Sequence, residues 1–274
     1  MIICKKYVLA SVIILNAAIA CYAESFNVAH YETNQPVFNV SSKLQEHANW
    51  RDLKSVQSLG LTSKTVKLLD KQKRNVLHIA CENNAPLDVI TYLLALGVDK
   101  NQRDQAGRTP IKIACGMGNA EVAQLLMQAG AEVHENSLHE ASYAGNLVLV
   151  KMLHETQDIR LNYFANEPMP TSLHRACAGG NLDLVKYLVE HGVMAVVSQY
   201  AKEGEDTLLH VASDYGNVNV AEYLIDELKL DVNAKGKDKR TPLMAATSGK
   251  HPHMDKARQA KMVELLKSRG AVQS

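Results

Sequence analysis

Residues 108–130 read RTPIKIACGMGNAEVAQLLMQAG, and this stretch decides the fold because variants of it recur along the chain. Thr109 and Pro110 come near its start, a turn follows at Gly118 and Asn119, and apolar residues then return at helical spacing. Recurrence at a fixed period of about 20 to 50 residues is the signature of a stacked repeat architecture. The anchor segments that align with 110–114 are 76–80, 137–141, 172–176, 208–212 and 242–246.

The anchor segments predict a pair of short antiparallel helices in each repeat. Their spacing is nearly constant, except that the segments at 110–114 and 137–141 lie closer together than the others. Threonine and proline suit the first positions of a helix. Apolar residues of the second helix, such as Val122, Leu125 and Leu126, cannot be buried within one repeat, so neighbouring repeats must stack. Four glycines fall where the first helix must end and the chain reverse: Gly118, Gly145, Gly180 and Gly216.

The repeated segments resemble the ankyrin motif Thr-Pro-Leu-His-x-Ala, most closely at 108–111 and 240–243. Residues 118–126 and 180–188 are similar to the turn and second helix of that family, and 129–133 to its exit loop. All but one of the anchor spacings lie near the ankyrin period of ~33 residues.

The resemblance implies an all-α fold, an ankyrin-repeat α-solenoid of about six helix-pair units with a degenerate N-terminal cap repeat. The array is expected over residues 42–274, with approximate repeats at 42–72, 73–105, 106–134, 135–168, 169–203, 204–236 and 237–274.

Two repeats depart from the regular length. The loop that leads from one repeat into the first helix of the next is called the finger. The short spacing between 110–114 and 137–141 predicts that the loop at 130–136 lacks the usual finger. The last repeat instead has an insertion around 250–255, between its two helices. Insertions in such arrays map to loops and often to the binding face.

The N-terminus has the features of a secretory signal peptide over residues 1–23, because two lysines precede an apolar core and small residues precede Glu24. Cleavage after Ala23 is favoured. A lipoprotein-type cleavage before Cys21 is the alternative and would anchor the protein through a lipid on that cysteine. The apolar stretch of about 14 residues is shorter than the ~20 that span a bilayer, which argues against an uncleaved anchor. Residues 24–41 show no period and are expected to form a flexible leader.

The charge balance excludes one class of partner. Without residues 1–23 the chain carries 28 basic and 29 acidic residues. This balance gives no reason to expect nucleic acid binding, which requires a basic excess. Because no long apolar run follows residue 23, membrane attachment is expected only through a lipidated Cys21.

Histidines are the first candidates for metal or acid–base chemistry. Metal ligands must converge within ~2 to 2.2 Å of one ion, whereas equivalent positions of a stack are spread along it. The ankyrin resemblance implies that these imidazoles are structural and bond to loop backbone. The denser group of His251, His253 and Asp255 is expected to be a solvated loop, so no metal and no other cofactor is predicted. The histidines that share one repeat position are His78, His139, His174 and His210.

Three cysteines, Cys81, Cys115 and Cys177, also share one column of the repeat, where other repeats have serine or threonine. A disulfide needs Cα atoms within ~7 Å, whereas packed helices lie about 8 to 10 Å apart. We therefore expect buried, reduced thiols that pack as small apolar groups. Such thiols are unusual in an oxidising compartment.

Catalytic motifs are missing from the sequence. It has no glycine-rich phosphate loop, no His-Glu-x-x-His, no Gly-x-Ser-x-Gly and no Cys-x-x-Cys. A thin stacked array also offers no deep pocket of the kind that substrates occupy. The sequence therefore predicts a protein that is not an enzyme and that has no small-molecule substrate.

The remaining candidate site is a surface. In the ankyrin family, ligands lie on the concave face formed by loop tips and first helices. This resemblance implies contact positions just after the third residue of each anchor segment. Tyrosine, arginine and methionine mixed with isolated carboxylates are typical of protein-contact centres. Further positions of this face are Ile79, Glu82, Ile113 and Val211. The predicted partner-binding residues are Met117, Glu140, Tyr143, Arg175, Asp214 and Tyr215.

The expected function is an exported protein–protein interaction module, periplasmic or secreted by a bacterium, that binds a partner protein on this concave face without catalysis. One alternative is a secreted effector of a host-associated bacterium, in which reduced cysteines would be at home. Another, which a resemblance to some exported bacterial ankyrin proteins implies, is a periplasmic accessory to an antioxidant enzyme such as a catalase.

Overall fold

The computed structural model describes residues 49–157, 159–163, 171–194, 205–248 and 255–272, and every regular element in these ranges is a helix. The predicted signal peptide 1–23 and leader 24–41 lie outside the described residues. The chain divides into two compact units, Met1–Ser137 and Leu138–Ser274. The all-α prediction is confirmed for the described part of the chain.

The described part of the first unit opens with α1 (Leu53–Ser58) and a 3-10 turn at Thr65–Lys67, and it continues with two helix pairs. Trp50, Val56 and Val66 of the opening segment are buried. In each following pair, a short first helix is joined by a tight turn to a longer second helix. The helices are α1 (Leu53–Ser58), α2 (Val76–Glu82), α3 (Leu87–Ala95), α4 (Pro110–Gly116) and α5 (Ala120–Gln128).

The second unit contains the remaining pairs. The first of its helices, α6, includes the point at which the chain is divided. A second 3-10 turn, Lys237–Lys239, forms the finger before the last pair. The helices whose bounds lie within its described residues are α6 (Glu135–Tyr143), α7 (Leu147–Gln157), α8 (Ser172–Gly179), α9 (Leu182–Glu190), α10 (Leu208–Tyr215), α11 (Val218–Asp226), α12 (Pro242–Ser248) and α13 (Lys256–Ser268).

The first helices start as the anchor segments predict. Thr109 caps α4 by accepting a hydrogen bond from the backbone N–H of Lys112 at 3.4 Å, and Pro110 is the first helical residue. Thr171 caps α8 in the same way, with 3.3 Å to the N–H of His174. The four predicted turn glycines all have a left-handed backbone, with φ of 68°, 69°, 80° and 68° in chain order. The helix boundaries therefore follow local sequence signals.

Several second helices start with asparagines, and some of these also link one repeat to the next. The Asn181 carboxamide oxygen accepts from the N–H of Leu184 at 3.0 Å, while its Nδ2 donates to the Gly145 carbonyl at 2.7 Å. Asn217 Nδ2 donates to the carbonyls of Cys177 and Ala178, both at 2.8 Å. Each of these two asparagines satisfies carbonyls at or just beyond the end of the first helix in the preceding repeat.

One leucine position lies at the centre of each repeat. Within each unit, first helices pack on first helices and second helices on second helices. Burying one leucine side chain stabilises the fold by about 1.5 to 3 kcal/mol. The repeat period thus places one large apolar contribution in every pair. The equivalent residues, all fully buried, are Leu93, Leu126, Leu153, Leu188, Leu224 and Leu266.

The short spacing before the anchor segment at 137–141 corresponds to a short loop between α5 and α6. Helix α5 ends at Gln128 and α6 begins at Glu135, whereas the loop from Ala95 at the end of α3 to Pro110 at the start of α4 is more than twice as long. The predicted loss of a finger at 130–136 is confirmed by this early helix start. The insertion at 250–255 lies outside the described residues except for Asp255, whose carboxylate caps α13 by accepting from the N–H of Arg258 at 2.8 Å.

Gly179 marks the closest approach between first helices in the second unit. It is the last residue of α8, and a Cβ built on it would lie 2.3 Å from the carbonyl oxygen of Tyr143. Real Cβ atoms do not approach so closely, so only glycine fits here. Although glycine lowers helix stability elsewhere, at this position it lets two first helices touch.

We expect Gly179→Ala to lower the free energy of unfolding by about 1 to 3 kcal/mol, because the new methyl group meets rigid backbone rather than a flexible side chain. Urea unfolding followed by circular dichroism measures the change. A gain of up to about 1 kcal/mol, which helix propensity alone would give, would contradict the close approach.

Candidate protein-binding surface

The buried histidines tie one repeat to the loop before the next. His78 Nε2 donates to the Arg108 carbonyl at 3.1 Å, and His210 Nε2 donates to the Arg240 carbonyl at 2.9 Å. His139 Nε2 makes a longer bond, 3.4 Å, to the carbonyl of Tyr163. The predicted structural role, with imidazoles bonded to loop backbone, is confirmed for these three residues. Burial lowers the pKa of His78 and of His210, which keeps both rings neutral.

The pKa of His174 is lowered strongly. Its Nδ1 lies 2.8 Å from the Thr171 hydroxyl. Burial, with a smaller contribution from the neighbouring His139, lowers the pKa of His174 to about 4. A group whose folded pKa is depressed by desolvation resists protonation, so this ring destabilises the fold when acid forces it to charge.

This pKa predicts acid sensitivity in a defined window. As pH falls below about 6.5 the unfolded chain takes up a proton that folded His174 does not accept until about pH 4, so the free energy of unfolding falls by ~3 kcal/mol across that range. His174→Gln should flatten this part of a stability profile measured by urea unfolding at successive pH values. Equal slopes in the two proteins would refute the assignment.

The cysteine column is buried as predicted. Cys81, Cys115 and Cys177 are buried inside the fold, and none of the three forms a disulfide. Burial raises the pKa of the Cys81 and Cys177 thiols well above the ordinary value, so both are protonated and unreactive at neutral pH.

An ion-pair network in the first unit lies where the fingers join the first helices. Asp104 accepts from the backbone N–H of Arg108 at 2.7 Å and from its Nε at 2.8 Å. Burial alone would raise the pKa of Asp104, but these bonds hold it below the ordinary value. Glu82 then accepts from Arg108 Nη2 at 2.9 Å and from Arg74 Nη1. One carboxylate therefore joins arginines from two successive fingers.

The second unit uses the same positions with one of the three charges reversed, because an aspartate replaces the first arginine. Asp206, four positions before His210, stands where Arg74 precedes His78, and Asp214 stands where Glu82 does. Arg240 donates to Asp214 at 3.2 and 2.6 Å and to Asp206 at 3.1 and 2.5 Å. One arginine thus joins two carboxylates.

This network contains two residues that the sequence interpretation did not place in the site, Asp206 and Arg240. Both occupy the same position relative to their anchor segments, so one repeat length separates them in the sequence. A comparison of charges at equivalent positions of successive repeats would have revealed the pair.

Tyr143 and Tyr215 come together although they belong to repeats two apart in the sequence. Their ring centroids are 6.1 Å apart in an edge-to-face arrangement. Gly179, in the intervening repeat, touches the Tyr143 backbone and has no side chain to separate the rings. Burial, together with the neighbouring Tyr143, raises the pKa of Tyr215 to about 12, and Arg175 lies close enough to oppose this shift.

The structure separates the predicted contact residues into two groups. Met117 lies in the first unit at the end of α4 and is 51% exposed. Glu140, Tyr143, Arg175, Asp214 and Tyr215 lie in the second unit and are all half-buried. Among these, Tyr143, Arg175, Asp214 and Tyr215 interact electrostatically or through their rings. Their role in binding a partner stays a prediction.

Three further positions were wrongly expected on the surface. Ile79, Ile113 and Val211 are buried. First helices pack side by side within each unit. A branched apolar side chain at the fourth position of the anchor segment is covered by this packing. Polar residues at the same position, Glu140 and Arg175, are only half-buried.

Within the ranges that the structure describes, no three histidine, cysteine, aspartate or glutamate side chains are grouped so as to hold a metal ion. His251 and His253 lie outside those ranges, so the solvated loop remains a prediction. The described helices are also too short or too polar for any of them to cross a bilayer.

Paired helices, interlinked by histidine and asparagine side chains at a regular period, define an α-helical repeat protein. A family model of ankyrin repeats in three copies matches residues 44–137 and again 138–236. The chain belongs to the ankyrin-repeat family.

Other proteins share this similarity over part of their length. The tyrosine-protein kinase HTK16 of Hydra vulgaris is 36% identical over 85 residues, 28% of this chain and 11% of that protein. The human SMC5-SMC6 complex localization factor protein 1 is 34% identical over 100 residues, 32% of this chain and 10% of that protein. The chain thus spans about a tenth of the length of these curated relatives.

A solved structure shows the same fold. The ankyrin repeat domain of human ASB11 superposes with a TM-score of 0.56 at 22% identity, and the match covers 86% of this chain and 99% of that domain.

Proposed function

We propose that this protein is an exported interaction module that binds a partner protein through first-helix side chains of its second unit and catalyses no reaction. Ankyrin repeats are in general protein–protein interaction modules. The observation that supports the proposed surface is the group formed by Tyr143, Tyr215, Arg175 and Asp214, held by Arg240. Aromatic and arginine side chains are the residues that most often dominate binding energy at protein interfaces.

The surface is suited to binding because its side chains are already held in place. The two tyrosine rings support one another, and Arg240 fixes Asp214 through two hydrogen bonds. Side chains that are ordered before binding lose less conformational entropy when a partner arrives. Half-buried rings also expose part of their apolar area to a partner while the remainder is anchored.

Site-specific photocrosslinking in the native cells tests this surface. A benzophenone amino acid at position 143 or 215 should link one common partner, because both positions belong to the same group. The matched control is position 148, since Val148 is 70% exposed on the second helix α7. Linkage of the same partner from 148 alone would place the contact on the other side of the repeat.

With the partner purified, Tyr143→Ala should weaken binding about tenfold or more, as expected when an aromatic contact at the centre of an interface is truncated. Val148→Ala should leave the affinity unchanged.

Export rests on residues 1–23, and intact mass with N-terminal sequencing of the native protein tests it. We expect a free N-terminus at Glu24, because Cys21 and Ala23 place small residues three and one positions before that site. A lipidated Cys21 would place the protein on a membrane surface. An intact Met1 would refute export by cleavage.

A secreted effector that acts inside a host cell is a second candidate. The buried, unlinked thiols of Cys81, Cys115 and Cys177 favour it, because a reducing cytosol preserves free cysteines. Recovery of the processed chain from host-cell fractions would support this role over a periplasmic one.

A further inference from the structure

The total charge is nearly neutral, but the C-terminal segment, which comprises the last repeat and the loop before it, is strongly basic. Residues 229–272 contain 11 basic and four acidic residues, whereas residues 24–228 contain 17 basic and 25 acidic residues. A smaller basic excess, seven against two, occurs at 49–74 in the first unit. Regional charge of this size sets how a protein meets a charged surface, even when the net charge is close to zero.

The basic residues of the last repeat are carried by an ordered helix and the finger before it. Helix α13 buries Met262, Leu265 and Leu266 on one side. Exposed lysines lie on its other side, and Lys256 and Lys267 are three helical turns apart. The lysine surface, as we define it, consists of Lys237 and Lys239 of the finger with Lys256, Lys261 and Lys267 of α13, all exposed.

Hydrogen bonds tie the end of α13 to the loop that leads into the finger. Asn233 Nδ2 donates to the Gly270 carbonyl at 3.1 Å, and the Asn233 carboxamide oxygen accepts from the N–H of Val272 at 3.0 Å. The finger is held in turn by Asp206, which accepts from the N–H of Lys237 at 3.0 Å. The finger and the helix that carry the lysines are therefore both held by hydrogen bonds to the preceding repeat.

Arginines and lysines of this repeat have different roles. Arg240 is bound by two aspartates, Arg269 donates to Asp226 at 2.9 and 2.7 Å, and Arg258 lies 3.9 Å from Asp255. In contrast, within the described part of the chain, no residue of the lysine surface takes part in an ion pair. The available charge thus belongs to flexible ammonium groups, which act as point charges, and not to guanidinium groups suited to bidentate recognition.

The chemistry of the lysine surface indicates which kind of anionic partner it can bind. Residues 229–274 contain no phenylalanine, tyrosine or tryptophan, the side chains that single-stranded nucleic acid binding proteins mainly use to stack bases. Point charges without fixed direction suit a surface of many anionic groups. We propose that the lysine surface binds the anionic headgroups of a lipid bilayer electrostatically and without insertion. The acidic remainder of the chain would be repelled by the same bilayer, which favours contact through the last repeat.

Vesicle flotation with the full chain from Glu24 onward tests the proposal. The chain should float with phosphatidylcholine vesicles that contain about a third phosphatidylglycerol and not with phosphatidylcholine alone, because clustered lysines adsorb to anionic leaflets. Binding should be lost at about 0.5 M salt, where the screening length falls to a few ångströms. Equal binding to both vesicle types would overturn the proposal.

Two matched triple variants locate the surface. Lys256→Gln with Lys261→Gln and Lys267→Gln should lower partitioning roughly a hundredfold. The control, Lys64→Gln with Lys67→Gln and Lys71→Gln, removes three exposed lysines from the smaller basic excess and should have a much smaller effect. Thermal unfolding verifies that both variants fold.

Equal losses in the two variants, or a loss confined to the control, would overturn the assignment to the last repeat. Tighter binding to duplex DNA than to anionic vesicles at about 0.15 M salt would overturn it in favour of a nucleic acid partner.

Discussion

A helix pair of this protein has an apolar side that only a neighbouring pair can cover, and the rest of the structure depends on this constraint. The leucine that is fully buried in each second helix, such as Leu188 or Leu224, requires the next pair at one repeat distance. Because each unit packs its pairs in this regular way, side chains about one repeat apart in sequence become neighbours. The histidine-to-carbonyl bond of His210 and the asparagine bonds of Asn181 and Asn217 all use this spacing.

The constant frame leaves other positions free to vary in charge and size. Glu82 joins two arginines in the first unit, whereas Arg240 joins two aspartates in the second at equivalent positions. Both arrangements hold the fingers, so the ion-pair network survives reversal of one of its three charges. What differs is the electrostatic character of the surface beside it. A repeat protein can in this way diversify its partners without changing its fold.

The two proposed surfaces use different parts of the repeat. The tyrosine group lies on first helices of the second unit, and the lysine surface lies on the final helix and finger. A module that contacts a bilayer through its last repeat would keep the first-helix side chains available to a protein partner. The same chain can therefore be nearly neutral overall and still carry two chemically distinct binding regions.

The amino-acid sequence by itself determined the ankyrin family, the succession of helix pairs, the turn glycines, the buried cysteines and the structural histidines, because each follows from a local pattern repeated at a fixed period. It also predicted Met117, Tyr143 and Tyr215 as outward positions. Only the tertiary structure decided that Ile79, Ile113 and Val211 are buried, that Tyr143 meets Tyr215 beside Gly179, and that Arg240 holds two aspartates. Those outcomes depend on how closely successive repeats approach one another. That distance is set by the packing of side chains and backbone from different repeats. The repeat pattern of the sequence does not contain this information.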